Sequence, residues 1–206
     1  MARKTKADAL LTRDAILDAA QSCFLANGVA RTTLEQVARR AGCTRGAVYW
    51  HFRNKADLLT AMMERIEVPF FERFEHRLVS EQADAMTLLR TVFDDLFSAI
   101  ELDARTRAAM EIMMLRCEMV DDQAFLLERQ QRQLETFVAG VALALSKAQE
   151  QGRIRSGVDS RDLARCLHAM ASGLIRIWLM QPQTETLTAT GQRMVETLLA
   201  GFECRT

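Results

Sequence analysis

The side chains best suited to chemistry in this 206-residue chain crowd into one stretch, Thr33 to Lys55, which reads TLEQVARRAGCTRGAVYWHFRNK. It holds hydroxyls (Thr33, Thr44, Tyr49), cations (Arg45, Lys55), an imidazole (His51), an indole (Trp50) and two small residues, Gly46 and Ala47. None of these forms a nucleophile–base pair. Together they are donors for phosphate oxygens and for the edges of bases. The spacing predicts a helix capped by Thr32 or Thr33, a tight turn at Ala41-Gly42-Cys43, and a short second helix capped by Thr44. That is a helix-turn-helix, whose second helix enters the DNA major groove.

Val48 and Phe52 lie four apart, so they share the inward face of that second helix. Gly46, Ala47 and Trp50 point the other way, and small residues there let the backbone approach base edges. Arg45 and Lys55 each open a helix, where the backbone dipole disfavours a cation. A bound phosphate reverses that sign. Tyr49 and His51 flank the same face as donors to phosphate.

The rest of the chain offers no rival chemistry. There is no HExxH, no nucleophile elbow and no phosphate-binding glycine loop. His51, His76 and His168 fall in different elements. Cys23, Cys43, Cys117, Cys166 and Cys204 make no CxxC pair, so no metal site and no cofactor is expected. The cysteines read as small buried hydrophobes in a reducing, cytoplasmic setting. No signal peptide and no apolar run of membrane-spanning length is read.

Charge supports a polyanionic partner. The chain carries 27 basic and 27 acidic residues, yet up to Ala56 there are ten basic against four acidic ones. A head with an excess of six positive charges precedes a body with the compensating negative ones. The remaining rival is a protein-interaction or architectural module that reads no specific DNA sequence.

These residues must be held by helices, because proline and glycine are scarce and helix formers dominate. An all-α fold is expected: a head at 1–54 and a helical body at 55–206. Residues 2–7 read as a frayed basic start. Helix 1 spans about 11–26 and stops at Asn27-Gly28. Helix 2 is capped by Thr32 (with Glu35) or Thr33 (with Gln36), helix 3 runs to about Phe52, and helix 4 starts after Asn54, to be kinked or broken at Pro69. Helices 5 to 9 are expected at about 85–101, 104–118, 122–151, from Asp159 to Met180, and 187–202.

Thr44-Arg45-Gly46-Ala47-Val48-Tyr49-Trp50-His51-Phe52, followed by Lys55 and Leu58, resembles the signature of TetR-family regulators. Met1 to Lys6, Val29 to Leu34, Met110-Glu111-Ile112, Arg116-Cys117-Glu118, Leu174-Ile175-Arg176 and Trp178 are similar to its AcrR/TtgR branch, repressors of multidrug efflux pumps. The resemblance implies a homodimer on double-stranded operator DNA, released by a hydrophobic small molecule. An activator, or a regulator of another pathway, is the alternative.

Pairing is implied through helices 8 and 9, where Leu163, Leu167, Met170, Leu174, Val195, Leu198, Leu199 and Phe202 supply apolar stripes that serve equally as internal core. An effector pocket is implied too. Its lining positions are Ile66, Leu89, Val92, Phe93, Leu96, Met110, Met113, Met114, Leu134, Phe137, Val141, His168, Ala171 and Ser172. Related pockets present polar or acidic groups where this chain has Met110, Met114 and Ser172, so a more apolar wall is expected.

Overall fold

The computed structural model describes residues 6–79, 84–117, 124–181 and 185–204. Among them the order is α1 (Lys6–Asn27), α2 (Leu34–Arg40), α3 (Arg45–His51), α4 (Lys55–Val79), α5 (Ala85–Leu102), α6 (Ala104–Glu111), a π-helical turn (Ile112–Arg116), α7 (Ala124–Glu150), α8 (Ser160–Met180) and α9 (Leu187–Ala200). The described residues contain no strand, only an isolated antiparallel bridge between Ile154 and Glu203.

Three helix ends follow from glycine. Gly28, Gly42 and Gly152 have φ of 78°, 66° and 69°, left-handed values that other residues rarely adopt. After α2, Gly42 N–H donates to Arg39 O (3.3 Å) and Cys43 N–H to Ala38 O (3.0 Å). Those two bonds close the turn and satisfy carbonyls that the helix end leaves open.

The chain divides into two compact units. One comprises Met1–Glu67 with Ala108–Leu127, so the head takes in a segment from far downstream. Its core joins Ile16, Leu17, Ala20 and Phe24 of α1, Val37 and Ala38 of α2, Val48 and Phe52 of the α3 region, Leu58, Leu59 and Met62 of α4, and Ala109 and Ile112. The π-helical turn packs on α1 and its last carbonyl, Arg116 O, accepts from Val29 N–H (3.1 Å).

The other unit comprises Val68–Arg107 and Glu128–Thr206. Here α5 packs on α9, and α9 on α8. Phe93, Phe97 and Ile100, then Val141 and Leu145, then Leu163 and Leu167, then Val195 and Leu199 are all buried. Arg90 ties α5 to the chain end through Glu196 (2.6 Å) and Glu203 (3.0 Å).

α1 starts at Lys6, so Lys6 and Ala7 are helical; residues 2–5 of the expected frayed start lie outside the described residues. α4 is not broken: it runs through Pro69 to Val79. Proline removes one helical hydrogen bond, a cost of about 3 kcal/mol, and the burial of Leu58, Leu59 and Met62 before it and Phe74 after it opposes that cost. The sixth helix does not continue to 118 but passes at Ile112 into the wider π form. α9 ends at Ala200 and not at 202.

α8 is, by length and composition alone, long and apolar enough to cross a membrane, contrary to the sequence reading. It is apolar on two faces. Leu163, Leu167, Ala171, Ile175 and Trp178 are buried, whereas Ile177 (53%) and Met180 (54%) are exposed.

Candidate nucleic-acid interface

Two threonines set the frame. Thr33 closes a reciprocal cap: its hydroxyl accepts from Gln36 N–H (3.2 Å), and Gln36 Oε1 accepts from Thr33 N–H (2.8 Å). Of the two threonines offered by the sequence, Thr33 is thus the cap. Thr32 is buried, and its hydroxyl donates to Gly28 O (2.8 Å) and Cys23 O (3.2 Å) at the end of α1. Sequence reasoning missed that clamp, because Thr32 stands directly before Thr33 and reads as a second candidate for the same cap. Thr44 caps α3 by accepting from Ala47 N–H (3.1 Å).

α3 has an inner and an outer face. Val48 and Phe52 are buried, and Arg13 of α1 lies over the Phe52 ring at 5.3 Å. Outside stand Arg45, Gly46, Tyr49 and Trp50, with Trp50 73% exposed; Ala47 and His51 are half-buried. The rings of Trp50 and His51 meet edge to face at 4.5 Å. Arg45 Nη2 donates to Tyr49 Oη (3.2 Å), and its guanidinium lies 5.3 Å from the Tyr49 ring centre. The bond to Tyr49 holds the Arg45 pKa above its ordinary value. A Cβ at Gly46 meets only Thr44 Oγ1, at 3.8 Å, so nothing inside the protein requires glycine there.

Lys55 is placed differently from Arg45. Its ammonium donates to Ala30 O (2.8 Å) and Thr32 O (3.1 Å) in the loop between α1 and α2. Two carbonyls therefore offset the unfavourable dipole at the start of α4. Burial pulls its pKa below the usual lysine value. One of its three N–H donors is left beyond these two bonds. Asn54 caps α4 by accepting from Asp57 N–H (2.8 Å).

The lining positions of the expected effector pocket fall in both units. Ile66, Met110, Met113 and Met114 belong to the head unit, all half-buried, with Ile66 and Met113 packed on its core. In the other unit Leu89, Val92, Phe93, Phe137, Val141 and Ala171 are buried, Leu96, His168 and Ser172 are half-buried, and Leu134 is exposed (38%). Phe137 gathers an aromatic cluster with Phe93 (5.8 Å), His168 (5.7 Å) and Phe74 (6.0 Å). His168 Nε2 and Ser172 Oγ lie 3.5 Å apart, and burial lowers the imidazole pKa. No group of three or more potential metal ligands occurs among the described residues.

A capped recognition helix, exposed on one side and seated by Val48 and Phe52 on the other, defines a helix-turn-helix regulator. Residues 16–62 match the family described as bacterial regulatory proteins, tetR family, and residues 84–204 match the C-terminal region of MAATS-type transcriptional repressors. The chain is 35% identical to the HTH-type transcriptional regulator TtgR of Pseudomonas putida, over 96% of this chain and 94% of TtgR.

Two solved structures agree. NalD, the secondary repressor of the MexAB-OprM multidrug efflux pump in Pseudomonas aeruginosa, superposes with a TM-score of 0.87 at 32% identity, over 98% of this chain and all of NalD. The SmeT–triclosan complex gives 0.84 at 39% identity, over 94% and 92% of the two chains. SmeT is the repressor of the Stenotrophomonas maltophilia pump SmeDEF. The chain belongs to the TetR family of regulators.

Proposed function

We propose that this protein is a cytoplasmic repressor that binds operator DNA as a homodimer, controls a multidrug efflux-pump operon and is released by hydrophobic drug-like molecules. The observation that carries this reading is the outer face of α3 on a chain similar over nearly its whole length to repressors of efflux pumps. DNA reading is assigned to 1–54, with Thr33, Thr44, Arg45, Gly46, Ala47, Tyr49, Trp50 and His51 facing the duplex and the spare Lys55 donor on a phosphate. Residues 55–206 bind effector and pair. No catalytic role is assigned: the relatives are transcriptional regulators.

Pairing through α8 and α9 is supported by a stripe on α8. Cys166, Ala169, Gly173, Ile177 and Met180 recur at intervals of three and four and are all exposed. Met194 adds an exposed apolar residue on α9. Leu163, Leu167, Val195 and Leu199, offered by the sequence for either role, are buried within the single chain. The effector reading draws on the Phe74, Phe93, Phe137 and His168 cluster and on the triclosan bound to SmeT. Ligand releases DNA only by binding the released state better, and tenfold weaker DNA binding requires about 1.4 kcal/mol of coupling.

The test is fluorescence anisotropy on duplex DNA from upstream of the protein's own gene, with and without triclosan and other hydrophobic drugs. Tight binding that a drug reverses is expected. Tight binding indifferent to every drug removes the efflux-sensor reading and leaves a DNA regulator of another pathway. Absence of specific binding overturns the repressor reading altogether.

A further inference from the structure

We propose that Tyr49 is a positioning residue that fixes Arg45 as a two-toothed reader of guanine in the major groove, an inference that rests on the DNA-reading role of α3. The two side chains lie one helical turn apart on the exposed face. They touch twice: Arg45 Nη2 donates to the phenol oxygen, and the guanidinium sits against the ring. A free arginine loses several rotatable bonds' worth of entropy when it binds. An arginine already laid along a tyrosine loses less, and its plane is set in advance.

The donor count fits guanine. Arg45 has five N–H groups and spends one on Tyr49. Whichever Nη2 proton is spent, a parallel pair remains: Nη1 with Nη2, or Nε with Nη2. A parallel N–H pair matches the N7 and O6 acceptors of guanine. The Tyr49 oxygen, having accepted, still has its own proton to donate. The unit is therefore all donors on its outer side. It is repelled by the N6 amino group of adenine and the N4 amino group of cytosine, which present donors in the same groove. Gly46 lies beside it with no fold-imposed need for glycine, so a close approach of the helix to the bases is open.

The alternative for Tyr49 is a plain phosphate contact, and the two differ in what they predict. The full-length protein is first used to select duplexes from a random pool, which defines its preferred site. Binding to that site is then measured for wild type, Tyr49→Phe and Arg45→Lys as a function of salt, with each guanine replaced in turn by adenine or by 7-deazaguanine. We expect one guanine per half-site where either replacement costs wild type about tenfold. At that guanine Tyr49→Phe, which keeps the ring, cuts the penalty to about threefold or less, and Arg45→Lys abolishes it, with the salt slope of Tyr49→Phe unchanged.

If Tyr49→Phe instead weakens all duplexes alike and lowers the salt slope by about one, Tyr49 holds a phosphate and the proposal falls. It falls too if Tyr49→Phe keeps the whole penalty. Failure to select any site overturns the DNA-reading role itself, a different outcome from either. Because Tyr49 is on the surface, circular dichroism of the variant confirms that folding is not what changed.

Discussion

The amide of Val29 donates to the carbonyl of Arg116 at 3.1 Å, which fastens the loop ahead of the helix-turn-helix to the end of a π-helical turn. Gly28 stands beside it: a Cβ there would make only ordinary contact with the same carbonyl, at 3.5 Å, but its φ of +78° strains a side-chain-bearing residue. Gly28→Ala is expected to lower stability by about 1–2 kcal/mol, mostly from the backbone conformation. Ile112→Ala, which empties a fully buried site in the same core, costs more, about 2–5 kcal/mol. Urea unfolding measures both; equal effects count against the ranking.

Lys55→Met separates two roles for one cation. Removing a cation from a helix N-terminus ordinarily stabilises by a few tenths of a kcal/mol. Here the ammonium serves Ala30 O and Thr32 O, so the variant is expected to be less stable by about 1–2 kcal/mol in the absence of DNA. A rise in the urea midpoint shows those two bonds to be idle.

The acid side of the stability curve should carry a mark of His168. Burial places its folded pKa below 6.5, so between the two values the unfolded chain holds the extra proton. Its stabilising share is complete above pH 6.5 and is lost as the pH falls toward the folded value. His168→Phe, which keeps a ring against Phe137, is expected to flatten that part of the profile. A profile unchanged in slope between about pH 7 and pH 5 counts against it.

Gly191 is the tightest glycine in the α5–α9 packing. A Cβ there would overlap three ring carbons of Phe97, which is itself fully buried. Gly191→Ala is expected to cost about 1–3 kcal/mol through overpacking. Phe97→Leu in the same chain returns part of it, because the obstructing ring is gone. Thermal unfolding of the single and double variants tests the pair; additive losses argue against direct contact.

For pairing, Ile177→Glu on the exposed stripe of α8 leaves the single chain's core untouched. Sedimentation at micromolar concentration is expected to show monomers for the variant and dimers for wild type. A dimeric variant moves the interface elsewhere.

What could be read in advance was local. The Thr44 cap, the glycine stops after α1, α2 and α7, and the inward pair Val48 and Phe52 all follow from residues within one or two turns of each other. What escaped was decided at a distance. Helical spacing shows that Leu163, Leu167, Val195 and Leu199 share a face but not what covers it, and their own chain does. The outer stripe of α8 was inconspicuous because more than half of it is Cys166, Ala169 and Gly173. Lys55 looked like a cation awaiting phosphate because its acceptor carbonyls belong to a loop far upstream. The π-helical turn has no compositional signature that separates it from the α-helix before it.

One consequence concerns those who build chimeric regulators. A sequence alignment invites a cut just after the recognition helix, as though everything up to that point were a detachable cassette. Here such a graft leaves behind Ala109 and Ile112, which plug the underside of the head, and the Arg116 carbonyl that holds Val29. A transplanted head therefore arrives with a hole in its floor unless the host supplies side chains of matching volume. The portable part of this protein is two pieces of chain, not one.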